Sequence, residues 1–478
     1  MQKLSAVYEE NVRAMDETLR IGSSFDLVRR RLRVGADELI FYYVEGMIKS
    51  EIMQRMLRYF LSLSHLEGGE DAAAHFMEAH LPYLEARQTD EQAQLVLSTL
   101  SGMIAVLGSP FGGRGVIVDA RTYPARSVGE PENDKVMQGA RDGFVETLLF
   151  NTALIRRRIR DPRLTLQYKN IGGASQTDIA ICYMEGVADP AYVAKLTELI
   201  DRARPQSLSM GTQSLIETLL PRRWFNPFPR VRTTERPDTA AAQLVEGSVL
   251  ILCDTSPQAI IFPCAIFDFL QATTDYYLPP LTGSYLRVVR LVIFFGSLLL
   301  TPTWYLLVRN ADLLPAWLQF MLPAEAGSLP ILIQLFLAEF ALDGLKLASM
   351  NTPSVLTNSL SIIGALILGD FAVQVGWLSA DVILYMAIVG IAGFVQPNID
   401  LHYAFKFLRM LTLALTGLFN LVGFIVGMLL VPVLICLTKT VDGKRSYLYP
   451  LLPWNGRALA RLFFRLPKHD FERTPRDP

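Results

Sequence analysis

Three ionisable residues interrupt a run that is otherwise apolar. Glu339, Asp343 and Lys346 fall within Leu329–Leu347 at positions i, i+4 and i+7, which sets them on one face of a helix. A charge at bilayer depth costs ~2.5–3.5 kcal/mol near the centre, so that face must turn to protein, water or a partner. Repeated around a symmetric oligomer, Glu339 and Asp343 would form acidic rings, a basis for cation selectivity. Two blander arrangements stay open: Asp343 and Lys346 neutralise each other, or Glu339 lies at the membrane interface. The next stretch, Ser354–Val375, sets Thr357 among Ser and Gly residues that let membrane helices approach closely. Its one acid, Asp370, either ends that helix or faces a polar cavity.

Other chemistry is thinly represented. Five histidines are present, and His402 has no Cys or second His near it, which argues against a metal site. Cys182, Cys253, Cys264 and Cys436 lack metal-ligand spacing and read as reduced, mostly structural thiols. No GxGxxG or P-loop pattern occurs, so Gly46 and Gly186 read as turn glycines rather than phosphate binders. Glu45 and Glu185 read as helix-start acids rather than paired catalytic carboxylates. Arg156, Arg157, Arg158, Arg160 and Arg163 form a basic cluster without interleaved aromatics. That pattern suits fixed carboxylate contacts better than nucleic acid. No catalytic residue, cofactor or metal is expected.

The elements that carry these residues change character partway along. Leu291–Val308 has no internal charge, is bounded by Arg287, Arg290 and Arg309, and roughly spans a ~30 Å hydrocarbon core. Leu329–Leu347, Ser354–Val375, Val382–Val395 and Leu411–Leu437 follow. Asn398, Asp400, His402, Lys406 and Arg409 read as a polar linker before the last run, where Pro432 is tolerable. The 478 residues carry a net charge of −1, but residues 439–478 hold nine Lys or Arg against four Asp or Glu. By the positive-inside rule that tail is cytoplasmic, as is the basic approach to the first run. Both ends on one side require an even number of crossings. Five stretches therefore predict about four crossings plus one in-plane or re-entrant segment, with charged Leu329–Leu347 the best candidate. The opening residues are charged and lack an apolar core, so they do not read as a signal peptide.

The front half repeats itself. Glu38–Phe60 parallels Asp178–Ile200: an apolar strand, a Tyr-x-Glu-Gly turn, then an amphipathic helix. Gly102–Asp119 parallels Gly247–Phe262 as strand, Ser-Pro turn and strand. The predicted organisation is two related α/β subdomains (1–125 and 165–286), an Arg-rich helical connector (126–164), a helical membrane domain (287–438) and a basic tail (439–478). Within the connector, helical spacing runs over Gly143–Arg160. Pro221–Asp238, rich in Pro and Arg, reads as an ordered link.

The chain resembles the GerA family of spore germination proteins, specifically its A-type subunits. The resemblance rests on Gly129–Pro131, Gly139–Glu146, Asn151–Arg158, Thr234–Asp238 and Asp275–Tyr277 with Arg287 and Arg290. It marks Glu130, Pro131, Gly143, Phe144, Glu146, Asn151, Arg156, Arg158, Glu235, Arg236 and Asp238 as structural or interface residues. Ala140 stands where many nutrient-receptor subunits have Pro, which favours one branch of the family. The resemblance implies a multi-pass protein of the inner spore membrane that joins other germination membrane proteins. It further implies a ring-like homo-oligomer, such as a pentamer, that conducts ions. A nutrient-sensing or signal-transducing scaffold is the alternative; a membrane-bound enzyme ranks third.

Overall fold

Alternating apolar strands between turn residues build the first part of the chain into sheets. The structure, a computed structural model, describes residues 3–69, 71–81, 85–123, 139–220, 224–323, 328–351, 364, 369, 371–441 and 447–464. Glu130, Pro131, Thr357, Asp370 and most of 354–370 lie outside these residues. Two compact units result: Met1–Arg222 with Val231–Pro263, and Arg223–Arg230 with Cys264–Arg473.

The first unit contains the repeat. Strands β1 (Leu27–Val34), β2 (Asp37–Val44), β3 (Ala86–Thr89), β4 (Ile104–Gly108) and β5 (Gly115–Val118) form a sheet in the order β1-β2-β4-β5-β3. Strands β6 (Leu164–Ile171), β7 (Thr177–Met184), β8 (Arg232–Thr234), β9 (Val249–Cys253) and β10 (Ala259–Phe262) repeat it as β6-β7-β9-β10-β8. The expected duplication is present, but every pairing is antiparallel, so neither copy is a parallel βαβ unit. Helices α1 (Tyr8–Leu19), α2 (Ser50–Ser62), α3 (Ala72–His80) and α4 (Gln92–Leu100) belong to the first sheet. One of its faces buries Phe41, Phe60 and Phe76; the other buries Met15, Tyr42 and Leu95. Helices α5 (Leu148–Arg158), α6 (Pro190–Arg202), α7 (Thr212–Leu219) and α8 (Pro237–Val245) belong to the second. Both Tyr-x-Glu-Gly turns link a strand to a helix, with Gly46 at φ +82° and Gly186 at φ +76°, conformations that favour glycine. Cys182 and Cys253 are buried in the second sheet. Burial pushes the Cys182 thiol up strongly and the Cys253 thiol up to about 12, as inert structural thiols require.

The second unit is helical: α9 (Thr274–Tyr277), α10 (Pro280–Arg309), α11 (Ile331–Asn351), α12 (Ala380–Val395), α13 (Ile399–Leu437) and α14 (Gly456–Phe463). Among the described residues α10 and α13 are long and apolar enough to cross a membrane, and α12 is a shorter apolar helix. Trp304, Leu335, Val382, Met386 and Leu413 form the centre of its core. The structure departs from the sequence expectation within α13. Asn420 has φ +54° and ψ −132°, and the chain reverses there. A Cβ on Gly423 would strike the Leu415 carbonyl, and one on Gly427 would lie 2.7 Å from the Thr412 side chain, so the arms 399–419 and 421–437 lie against each other. The stretch read as a polar linker plus one crossing is a helical hairpin. Gly423→Val is expected to cost about 1–3 kcal/mol by overpacking the two arms. Unfolding in detergent checks this, and an unchanged midpoint would show that the arms do not meet.

The tip of the hairpin is held by the end of α10. Arg309 donates to the Thr416 carbonyl at 2.8 Å and to that of Gly417, while the Asn310 and Asn420 amides exchange bonds of 2.8 and 2.9 Å. Carbonyls freed where a helix stops are thereby satisfied. At the other end of the unit, Ile266 donates its N–H to the Tyr447 carbonyl at 2.9 Å. The Asn226 amide also reaches the Thr438 hydroxyl there, at 2.7 Å. The chain therefore enters and leaves the helical unit at the same end.

Candidate functional site

Complementary charges meet midway along these helices. As α11 runs from Leu332 to Lys346, its neighbours on α13 run from Gly417 back to Tyr403, so the two are antiparallel. This packing turns the Glu339 face towards α13, whose Lys406 and Arg409 share one face at i, i+3. Glu339 accepts from Arg409 at 2.7 Å and from Lys406 at 3.0 Å. Lys406 also pairs with Asp343. Arg409 makes a further bond to the Ser297 carbonyl of α10 at 3.2 Å. Glu339, Lys406 and Arg409 are 6%, 3% and 3% exposed. The Lys346 ammonium lies 4.8 Å from the centre of the Tyr403 ring.

The arrangement differs from both sequence alternatives. Lys406, not Lys346, is the partner of Asp343. Glu339 is enclosed by cations of its own chain instead of standing as a free acid. Two acids face three bases in this layer, and the Asp343 side chain, 33% exposed, is the more accessible acid. Lys406 and Arg409, read from sequence as linker, belong to the layer. Their signal was complementarity with the acids of α11.

At the start of α10, Asp275 is fully buried and accepts from Arg290 at 2.7 and 3.0 Å, with Arg287 3.5 Å away. These bonds tie the approach segment to the helix, and α10 begins at Pro280, before its apolar run.

The other described family-motif residues lie in the first unit. Fully buried Arg156 on α5 donates to Asp26 at 2.8 and 3.0 Å, to Ser24 at 3.3 Å and to the Asp161 and Leu164 carbonyls. It thereby joins the turn before β1 to the start of β6. Arg158 makes a bidentate pair with Asp142 at 2.6 Å. Asn151 bonds both backbone groups of Val145 and holds 143–147 out of the helix, so α5 starts at Leu148, later than helical spacing predicts. The backbone N–H groups of Phe144 and Thr255 donate to the Glu235 and Glu146 carbonyls. Arg236 bonds both Asp238 and the Ala140 carbonyl, while Gly143 is buried nearby in sequence. These residues knit the connector to the second sheet. Among the described residues no group of three or more His, Cys, Asp or Glu could hold a metal ion.

A family profile described as Bacillus/Clostridium GerA spore germination protein matches residues 15–477. The chain belongs to the GerA family. Stage V sporulation protein AF of Bacillus subtilis (strain 168) is 35% identical over 94% of this chain and 90% of its own length. Spore germination protein KA of the same organism is 26% identical over 95% of this chain and 84% of its own. A solved N-terminal domain, from the A subunit of the Bacillus megaterium spore germinant receptor GerK3, shares 23% identity with a TM-score of 0.41, covering 54% of this chain and 96% of that domain. The family membership implied by the sequence motifs is thus established for this GerA-family chain. Its buried charge layer is the feature from which a role can be argued.

Proposed function

We propose that this GerA-family chain is a homo-oligomeric, ion-conducting subunit of the inner spore membrane, releasing monovalent cations from the spore core on a germination signal. The layer of buried Glu339, Lys406 and Arg409 with partly exposed Asp343 carries this reading. A helical unit that served only as an anchor would gain nothing from ionisable groups at membrane depth. The directions of the helices support a multi-pass arrangement. α10 and the first arm of α13 run one way; α11, α12 and the second arm run the other. α11 and α12 are parallel, because Gln334 bonds the Ser379 N–H and Leu342 lies against Gly390. These directions fit upright helices, α11 included, and the proposed topology keeps the even number of crossings that a cytoplasmic side for both termini requires. Oligomerisation around an axis would give Asp343 and Lys346 the path-lining role, with Glu339 compensated behind them.

Cation release from proteoliposomes containing the purified protein tests this. Asp343→Asn is expected to lower cation flux about tenfold, the factor that about 1.4 kcal/mol of lost attraction gives. Unchanged flux would remove Asp343 from the path. Absence of any flux from folded, inserted oligomers would favour the alternative, a nutrient-germinant receptor subunit acting as a sensing or signal-transducing scaffold. One observation supports that alternative: an open groove of about 710 Å³ in the second subdomain, lined by Gln167, Tyr183, Glu185, Val193, Thr197 and Asp201. Its polar rim is already paired, Gln167 with Tyr183 at 2.8 Å, Glu185 with Arg20 at 3.2 Å and Asp201 with Lys169 at 2.8 Å. It therefore ranks second.

A further inference from the structure

We propose that residues 447–464, with Trp224 and Phe225, form a collar that lies on the anionic headgroup surface of the membrane its helices occupy. This rests on the membrane reading above. The collar is fixed at the base of the apolar helices. Asn226 bonds Thr438, the residue that ends α13, at 2.7 Å. Tyr447 is 2% exposed, and its hydroxyl donates to the Pro229 carbonyl at 2.6 Å. From these two pins project large apolar side chains that protein leaves uncovered: Trp224 and Phe225 at 88% and 95% exposure, Trp454 at 70% and Phe464 at 58%.

Asn455 caps α14 by accepting from the Ala458 N–H at 3.0 Å. Ala458, Leu459, Leu462 and Phe463 fall on one stripe of that helix, and positions 457 and 461, both Arg, fall on the opposite one. α14 packs alongside α10. In water this aromatic surface would be costly. At the headgroup boundary it suits Trp and Phe, whose apolar bodies enter the membrane while basic side chains meet phosphate. The charge excess of 439–478, nine basic against four acidic residues, favours an anionic surface over a neutral one. A protein cover would need no such charge excess.

Full-length protein in lipid nanodiscs tests the proposal through Trp454, read as the difference between wild type and Trp454→Phe. In discs with about a third phosphatidylglycerol, acrylamide quenching of Trp454 should fall at least about twofold relative to phosphatidylcholine alone. Lipids brominated near the headgroup should quench it. Arg457→Gln with Arg461→Gln should abolish the dependence on phosphatidylglycerol while leaving the elution profile unchanged. Protection indifferent to lipid charge, or free acrylamide access in both discs, overturns the collar. Protein that fails to enter discs at all overturns the membrane reading beneath it, and the two failures are therefore distinct.

Discussion

Arg156→Ala is expected to cost about 3–5 kcal/mol of stability in the first unit, because it leaves the Asp26 carboxylate buried and without its cation. The pair has side-chain exposures of 0% and 1%, and the guanidinium also satisfies Ser24 and two backbone carbonyls. At about 2–4 °C per kcal/mol for a unit of this size, the unfolding midpoint should drop by about 10 °C. Arg156→Lys should recover little, since an ammonium cannot reproduce the two-pronged bond to Asp26. Asp26→Leu with Arg156→Met should recover most of the loss by removing both charges together. A single Arg156→Ala variant within about 0.5 kcal/mol of wild type would show that the clasp does not hold the two sheets.

Glu339→Gln is expected to be as damaging in the helical unit. It leaves Lys406 and Arg409, both with 4% side-chain exposure, facing each other with Asp343 as the remaining acid. Breaking a buried pair on one side costs about 3–5 kcal/mol, and the loss should appear as a lower unfolding midpoint in detergent. Adding Lys406→Met to Glu339→Gln restores the balance of charge and should recover much of it. If the double variant is no better than the single one, the layer is not coupled as the distances indicate. Asp343→Asn should perturb folding less, because that carboxylate is partly exposed, which makes it the cleaner probe of the proposed conduction.

How much of this was legible in sequence depended on whether a signal was local. The duplicated strands and Tyr-x-Glu-Gly turns were readable because period-two alternation and turn chemistry act over a few residues. The closing strands β3 and β8 were not. They are three or four residues long, polar, and take their conformation from β5 and β10 beside them. β8 even lies in the stretch whose prolines and arginines read as a connector. The Arg-rich patch correctly suggested carboxylate contacts, but Asp26 is 130 residues from Arg156 and no spacing could select it. Asn420 did carry a local signal: it is the one amide in Leu411–Leu437, followed by Gly423 and Gly427 at small-residue spacing. Length alone hid it, since the whole run is long enough to be read as one span. Lys406 and Arg409 looked like a linker because the opposing acids lie on another helix, and only the antiparallel packing brings them together.

Side-specific labelling tests the topology on which the rest depends. In a cysteine-free background, Asp312→Cys lies beside the end of α10 that holds the hairpin tip, and Lys439→Cys follows the return of its second arm. In oriented membrane vesicles, an impermeant maleimide should reach only one of these positions, with the other labelled only after permeabilisation. Equal labelling of both from one side, before permeabilisation, would contradict the crossing pattern and the placement of the charge layer within the bilayer.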